Sequence, residues 1–244
     1  MSKEVVRLEE EYVRFDVITA HPAMFESVFG ISIIKRAIDK NACKIVLHNL
    51  YDYALDRYKH IDDTAFGGDA GMVIKCQPIF DCVEKLRSER DYDEIIYMAA
   101  DGKPFDQETA NELSLFRNII IICGHYKGID QRVRDALVTR EITIGDYVLS
   151  GGEIPAMAVV DSVVRLLPDV LGDVESALDD SYQDGLLEAP VYTKPADWRG
   201  MKVPEILTGG HHKKIKEWQE QQAIEKTARL RPDLLKKHHP DLLK

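Results

Sequence analysis

Three glycine-bearing turns and two charged pairs are the residues of this chain whose types and spacing could do chemistry. The turns read MAADGK from Met98, CGHYKGID from Cys123 and IGDYVLSGGE from Ile144. Glycine lets backbone approach a ligand closely, and pockets built this way leave a few backbone polar groups to fix its orientation. None of the turns matches GxxxxGK[ST], and none gives GxGxxG between a strand and a helix. Something other than a nucleoside triphosphate should therefore fill the curl around Gly151 and Gly152. The first charged pair is Asp161 and Arg165, four residues apart in IPAMAVVDSVVRLL (154–167). Exposed, such a pair is worth only about 0.2–0.5 kcal/mol. In a helix that is apolar on nearly all sides it is costly unless it is used. The second is Asp179–Asp180 in GDVESALDDSYQDG (172–185), where a solvated linker acid is the ordinary reading.

The elements that must hold these residues alternate. FDVITA (from Phe15), CKIVLHNL (from Cys43), EIIYMA (from Glu94), NIIIIC (from Asn118) and REITI (from Arg140) read as strands. The unbroken apolar run NIIIIC suits a strand buried on both faces. Between them, MFESVFGISIIKRAIDKN has helical spacing interrupted at Gly30, PIFDCVEKLRSER starts a helix with proline in its first turn, and DQETANELSLF carries Asp106 as its cap. DQRVRDALV is a further helix, and residues 154–167 should form a buried one. This alternation predicts an α/β fold with a largely parallel sheet. Ligands of such sheets bind beyond the carboxyl ends of the strands, and all three glycine turns would sit at that edge. FGGDAGM (66–72) is glycine-rich but does not follow a strand, and reads as a substrate-side loop rather than a phosphate cradle. Residues 172–185 read as a mobile linker, and KKIKEWQEQQAIEKTARL beyond them as a basic amphipathic helix.

The totals exclude several classes. With 244 residues, 45% apolar and 30% charged, the chain has the composition of a soluble globular protein. No apolar run approaches the roughly 18–20 residues of a membrane span. The charged N-terminus lacks the apolar core of a secretory signal. Cys43, Cys76, Cys82 and Cys123 show no CxxC spacing and suit reduced thiols in a cytoplasm. No metal-ligand cluster of useful spacing is present. Net charge is −10, yet residues 194–244 hold 12 Lys/Arg and 7 Asp/Glu, a local +5 against −15 elsewhere. That asymmetry suggests a basic tail module suited to a polyanion.

Seven segments in order carry a family resemblance: FGGDAGMVIKCQP, CGHYKGIDQRV, EITIGDYVLSGGEIPAM, RLLPDVLG, DDSYQDGLLEAPVYTKP, VPEILTGGHHKKIKEW and RLRPDLL. From about Phe15 the chain resembles the bacterial tRNA (guanine-N(1)-)-methyltransferase family of the SPOUT superfamily. The resemblance implies a homodimeric cytoplasmic enzyme that methylates N(1) of the guanosine immediately 3′ of the anticodon, position 37 of tRNA, using S-adenosylmethionine. It implies a trefoil-knotted α/β domain over residues 15–171, after an N-terminal extension of residues 1–14. A flexible linker (172–185) and a small, mainly helical tRNA-binding domain (186–244) would follow. The donor contacts it implies are Met98, Ala99 and Ala100 in the first turn and Gly124 in the second. In the third they are Ile144, Gly145, Asp146, Tyr147, Val148 and Leu149, then Gly151, Gly152 and Pro155. The residues themselves agree, since Leu149 and Ile144 could cover a flat purine ring. Contacts to tRNA would involve His125, Tyr126, Lys127, Ser181 and His212.

Methyl transfer from a sulfonium needs positioning and a nucleophile. The guanine N(1) carries a proton at neutral pH, so a general base beside it and a cation beside the adjacent carbonyl oxygen would help. By resemblance Asp180 is the base and Arg165 the cation. The chain departs from the family pattern at several points. His125 and Lys127 stand where CGRYEGIDERV has Arg and Glu, and the reversed charge bars carrying a base contact over to Lys127. Asp69 replaces a third glycine, Ala99–Ala100 replaces Ser-Pro, and GGHH (209–212) replaces SGNH. A magnesium requirement is not set by the sequence. The competing readings are a knotted methyltransferase acting on another RNA, at a ribosomal RNA base or a ribose hydroxyl, and a non-catalytic RNA-binding module.

Overall fold

All seven residues of the first strand, β1 (Val13–Thr19), are buried, because both faces of the sheet it belongs to are covered by helices. The computed structural model describes residues 12–68, 70–171 and 180–243. The expectations for residues 1–11, Asp69 and residues 172–179, Asp179 among them, lie outside the described residues. The chain divides into two compact units at residues 172/173.

In the first unit, β1 lies between β2 (Cys43–Asn49) and β6 (Asn118–Cys123); β6 pairs with β5 (Glu94–Pro104), and β5 with β7 (Arg140–Thr143). All four pairings are parallel, with Phe15 opposite Ile45 on one side and Ile119 on the other. Strand alternation sends Phe15, Val17, Ile119 and Ile121 into one core, and Ile18, Ile120 and Ile122 into the other. Helices α1 (Glu26–Phe29) and α2 (Ser32–Asp39) break at Gly30, as the sequence indicates. Two short antiparallel strands, β3 (Asp62–Thr64) and β4 (Met72–Ile74), come next. Helix α3 (Cys76–Glu89) has Pro78 in its first turn. Helix α4 (Gln107–Leu113) is capped by the Asp106 carboxylate, which accepts from the Thr109 N–H at 2.9 Å. Helices α5 (Gln131–Leu137) and α6 (Glu153–Val164) complete the unit.

Three expectations need correcting. FGGDAGM does follow a strand, since it joins β3 to β4; DDT is too polar and too short to read as one. Strand β5 does not end at MAADGK. It runs to Pro104, with a register break in which Met98 and Lys103 both oppose Ile142. A Cβ at Gly102 would stand 2.7 Å from the Ile142 backbone, so the break needs glycine there. Helix α6 is not buried all round. Ile154 and Asp161 are exposed and Met157, Ala158, Ser162 and Arg165 half-buried, which makes one stripe at helical spacing. The burial argument for the Asp161–Arg165 pair therefore fails. Along the helix, Arg165 N–H donates to the Asp161 carbonyl at 3.1 Å.

A buried carboxylate anchors the other face of β1. Asp16 accepts from Arg14 at 2.6 and 2.8 Å and from Tyr92 Oη at 2.7 Å, and lies 2.7 Å from His48 Nε2. Burial alone would raise its pKa, but the bonds from His48, Arg14 and Tyr92 outweigh it and hold the carboxyl at about 2. A depressed folded value means the contribution is complete above the unfolded pKa near 3.9 and is lost as pH falls from about 4 to about 2. Asp16→Asn leaves the Arg14 guanidinium, 6% exposed, without its counter-charge. Urea denaturation at pH 7 should show a loss of about 3–5 kcal/mol, and the difference from wild type should shrink toward pH 2.

In the second unit, an antiparallel pair (Asp197–Trp198 with Met201–Lys202) precedes helices Glu205–Thr208, His212–Leu230 and Pro232–His238. Residues 180–185 form a turn in which Tyr182 N–H donates to the Leu186 carbonyl at 2.7 Å. The neighbouring Leu187 N–H donates to Thr227 Oγ1 at 2.8 Å, and His239 Nε2 sits 2.6 Å from the Asp184 carbonyl. The described end of the acidic segment is thus hydrogen-bonded to His239, and Leu187 just beyond it to helix His212–Leu230.

Candidate functional site

The register break of β5 and the carboxyl ends of β6 and β7 open onto a cavity of about 340 Å³, within the usual size of small-ligand sites, about 300–1,000 Å³. The three glycine turns supply its walls. Met98, Ala99 and Ala100 come from the register break of β5 and Gly124 from the end of β6. Ile144, Gly145, Tyr147, Val148, Leu149, Gly151, Gly152 and Pro155 come from the segment after β7, together with the start of α6. Of the residues singled out in these turns, Asp146 alone does not line it. His125, Tyr126 and Lys127 do.

Backbone contacts stitch the turns together. Gly152 N–H donates to the Gly124 carbonyl at 2.8 Å, and His125 pairs with Gly151 as an antiparallel bridge. A Cβ on Gly152 would meet Cys123 Cα at 2.8 Å and Gly124 N at 2.9 Å, so only glycine permits this approach. From the other side, Lys127 N–H donates to the Met72 carbonyl and Asp130 N–H to Ile74, both at 3.0 Å, tying β4 to the second turn.

Several lining residues were not singled out by sequence. Tyr97 is 5% exposed, and its hydroxyl occupies the space beside Gly124 and Gly128, where a Cβ would stand 2.8 and 3.1 Å away. Arg134 lies over the Tyr97 ring at 5.4 Å and bonds Glu141 Oε1 at 2.7 Å and Asp101 Oδ2 at 2.9 Å. The hydrogen bond from Arg134 holds the Asp101 carboxyl below its usual range. Strand alternation was the signal for Tyr97; nothing in the spacing of Arg134 pointed to its partners. Glu153, the first residue of α6, is 1% exposed. An acid there reads as ordinary helix-dipole compensation, and only its burial sets it apart.

Val148 is 87% and Tyr147 54% exposed, an unusual pair of apolar side chains on a cavity loop. Exposed apolar groups beside backbone N–H and C=O groups suit a ligand with a flat apolar part and polar edges. Asp180, Ser181 and His212 belong to the second unit. There Asp180 and Ser181 are half-buried, Ser181 Oγ accepts from Glu188 N–H at 2.9 Å, and His212 is exposed at the start of its helix. The described residues contain no group of three or more His, Cys, Asp or Glu able to hold a metal ion. Among them, no helix is long and apolar enough to cross a membrane. All four cysteines are free, and burial pushes the Cys43 and Cys82 thiols up to about 11.

A parallel sheet with a cavity beside its strand ends, walled by close-approaching glycine turns, defines an α/β protein whose cavity suits a compact organic ligand. The tRNA (Guanine-1)-methyltransferase TrmD family matches residues 13–237, and the chain belongs to that family. Relatives named tRNA (guanine-N(1)-)-methyltransferase are similar over most of their length. That of Bacteroides fragilis is 57% identical, covering 91% of this chain and 99% of its own. That of Flavobacterium johnsoniae is 56% identical over 93% and 100%, and that of Chlorobium luteolum 52% over 91% and 96%.

Proposed function

We propose that the chain transfers a methyl group from S-adenosylmethionine to N(1) of guanosine 37 in tRNA. Family membership over residues 13–237 supports the reaction class. The observation that carries the donor assignment is the glycine-walled cavity, with its exposed Val148 and close-packed Gly152. The donor supplies an activated methyl group on a sulfonium. The protein then has to fix the donor, orient the base and accept a proton. Met98, Ala99, Ala100 and Gly124 hold one side of the donor, and the segment from Ile144 to Pro155 the other. Asp180 takes the N(1) proton, while Arg165 meets the carbonyl oxygen where charge builds. His125, Tyr126, Lys127, Ser181 and His212 face the tRNA.

The same reading makes the sheet domain a trefoil knot, with the tight crossing of Gly152 against Cys123 and Gly124 at its throat. It makes the second unit a tRNA-binding domain, in keeping with the +5 of residues 194–244. It also makes the working unit a cytoplasmic homodimer. The half-exposed stripe Ile154, Met157, Ala158 on α6 suits a face covered by a second copy. The test is transfer of labelled methyl from S-adenosylmethionine to tRNA, with primer extension to locate the product. The expected stop maps to the guanosine 3′ of the anticodon. A stop elsewhere, a methylated ribose, or no transfer would overturn the assignment.

A further inference from the structure

Among the described residues, Glu153 departs from the rule that buried polar atoms are paired. Its Oε1 accepts from Thr19 Oγ1 at 2.9 Å, and Thr19 Oγ1 in turn accepts from the His21 N–H at 2.9 Å. Its Oε2 is buried and has no hydrogen-bond partner among the described residues. A buried carboxyl oxygen left unsatisfied is costly, so such an atom calls for an explanation.

The surroundings supply one. A Cβ on Gly151 would collide with Glu153 Oε2 and would also stand 2.6 Å from His125 Cδ2 and 3.0 Å from His125 Nε2. The carboxylate oxygen and the Cδ2–Nε2 edge of the imidazole therefore both close against Gly151, leave no room there for a methyl, and are not hydrogen-bonded to each other. Both His125 and Gly151 line the cavity, and they are bridged to each other. Other titratable groups border the pair. The His21 ring lies 4.7 Å from that of His125, and the Tyr126 ring 5.2 Å. Lys127 follows in the same turn, and the Tyr97 hydroxyl stands beside Gly124. On β6, the Cys123 thiol is pushed well up, by its own burial first and then by the charge of Glu153, so it stays protonated and neutral. Of these groups, only His125 both touches the Gly151 space and can offer a proton from a cavity wall.

We propose that Glu153 is a positioning residue for the donor, acting through His125. When the donor fills the cavity, water leaves the wall and an uncompensated carboxylate beneath it becomes more costly. His125 then takes one proton from solvent and shifts its ring to bring Nε2–H to Glu153 Oε2, which locks the His125–Gly151 bridge beside the ligand. The inference deepens the donor assignment above and rests on it.

The experiment is calorimetry of S-adenosylhomocysteine binding to the full chain in buffers of different ionisation enthalpy, between pH 6 and 9. This ligand has a neutral thioether in place of the sulfonium, so it brings no positive charge at its sulfur, and the titration of its own α-amino group is measured separately and subtracted. The expected result for wild type is uptake of up to one proton per ligand above the histidine range, with affinity falling as pH rises. Glu153→Gln, similar in shape but uncharged, should bind without proton uptake and with a flat pH profile. His125→Gln is the second variant, in case the first folds poorly, and should also lose the uptake. A merely structural glutamate would leave proton linkage untouched. Binding without proton uptake in wild type, or uptake that survives in either variant, overturns the proposal and leaves the donor assignment standing. Uptake that persists in His125→Gln would place the proton on His21. Absence of any binding would remove the donor assignment, and this proposal with it.

Discussion

Asp180→Asn is expected to slow methyl transfer about 10²- to 10⁴-fold in single turnover at saturating tRNA, the usual range of a general-base contribution. The acceptor nitrogen of guanine is protonated at neutral pH, while the donor needs no activation. Removing that proton is therefore the step that most needs a protein group. Asparagine keeps the shape of the aspartate but cannot take the proton. Donor affinity, measured separately, should change little, because Asp180 is not among the residues lining the cavity proposed for the donor. Arg165→Ala should also slow transfer, and the double variant should lose less than the sum of the two if both act on one proton transfer. A near wild-type single-turnover rate for Asp180→Asn would reject the assignment. Asp161, Asp179 and Glu188 would be the next carboxylates to test.

Particular residues show how far the sequence reached. NIIIIC read as a strand covered on both faces, and in β6 its isoleucines divide between two cores. The three turns read as one sheet edge, and one cavity gathers them. Burial on nearly all sides of α6 was an overreach. Its composition is apolar almost throughout, but composition does not say which stripe is left half-exposed. The continuation of β5 past MAADGK was invisible because a glycine after a strand looks like a turn. Only the close approach of Gly102 to the Ile142 backbone shows that the strand resumes. Polar partners were the least legible class. Arg134 with Asp101 and Glu141, Asp16 with His48 and Tyr92, and Glu153 with Thr19 are separated by up to 134 residues. Such pairs follow from topology, and no local period announces them.

Gly152→Ala should weaken donor binding about 10- to 100-fold. One added methyl in a packed site costs about 1–3 kcal/mol, and about 1.4 kcal/mol is a tenfold change in affinity. The carbon would stand 2.8 Å from Cys123 Cα and 2.9 Å from Gly124 N. Both are backbone atoms at the buried end of β6, so no side-chain rotation can relieve the contact. The turn after β7 must instead lift away from β6. That would break the Gly152 N–H bond to the Gly124 carbonyl and the His125–Gly151 bridge. The walls of the cavity would then part while both hydrophobic cores stay filled. Thermal stability without ligand should fall by no more than the strain itself, and the extra stabilisation conferred by donor should largely vanish. Gly209→Ala is the control, since its added carbon would meet nothing closer than 3.7 Å, and donor affinity should be unchanged. Calorimetry giving Gly152→Ala a wild-type donor affinity would mean that the ligand does not depend on the crossing of these two backbones, and the donor site would have to lie elsewhere.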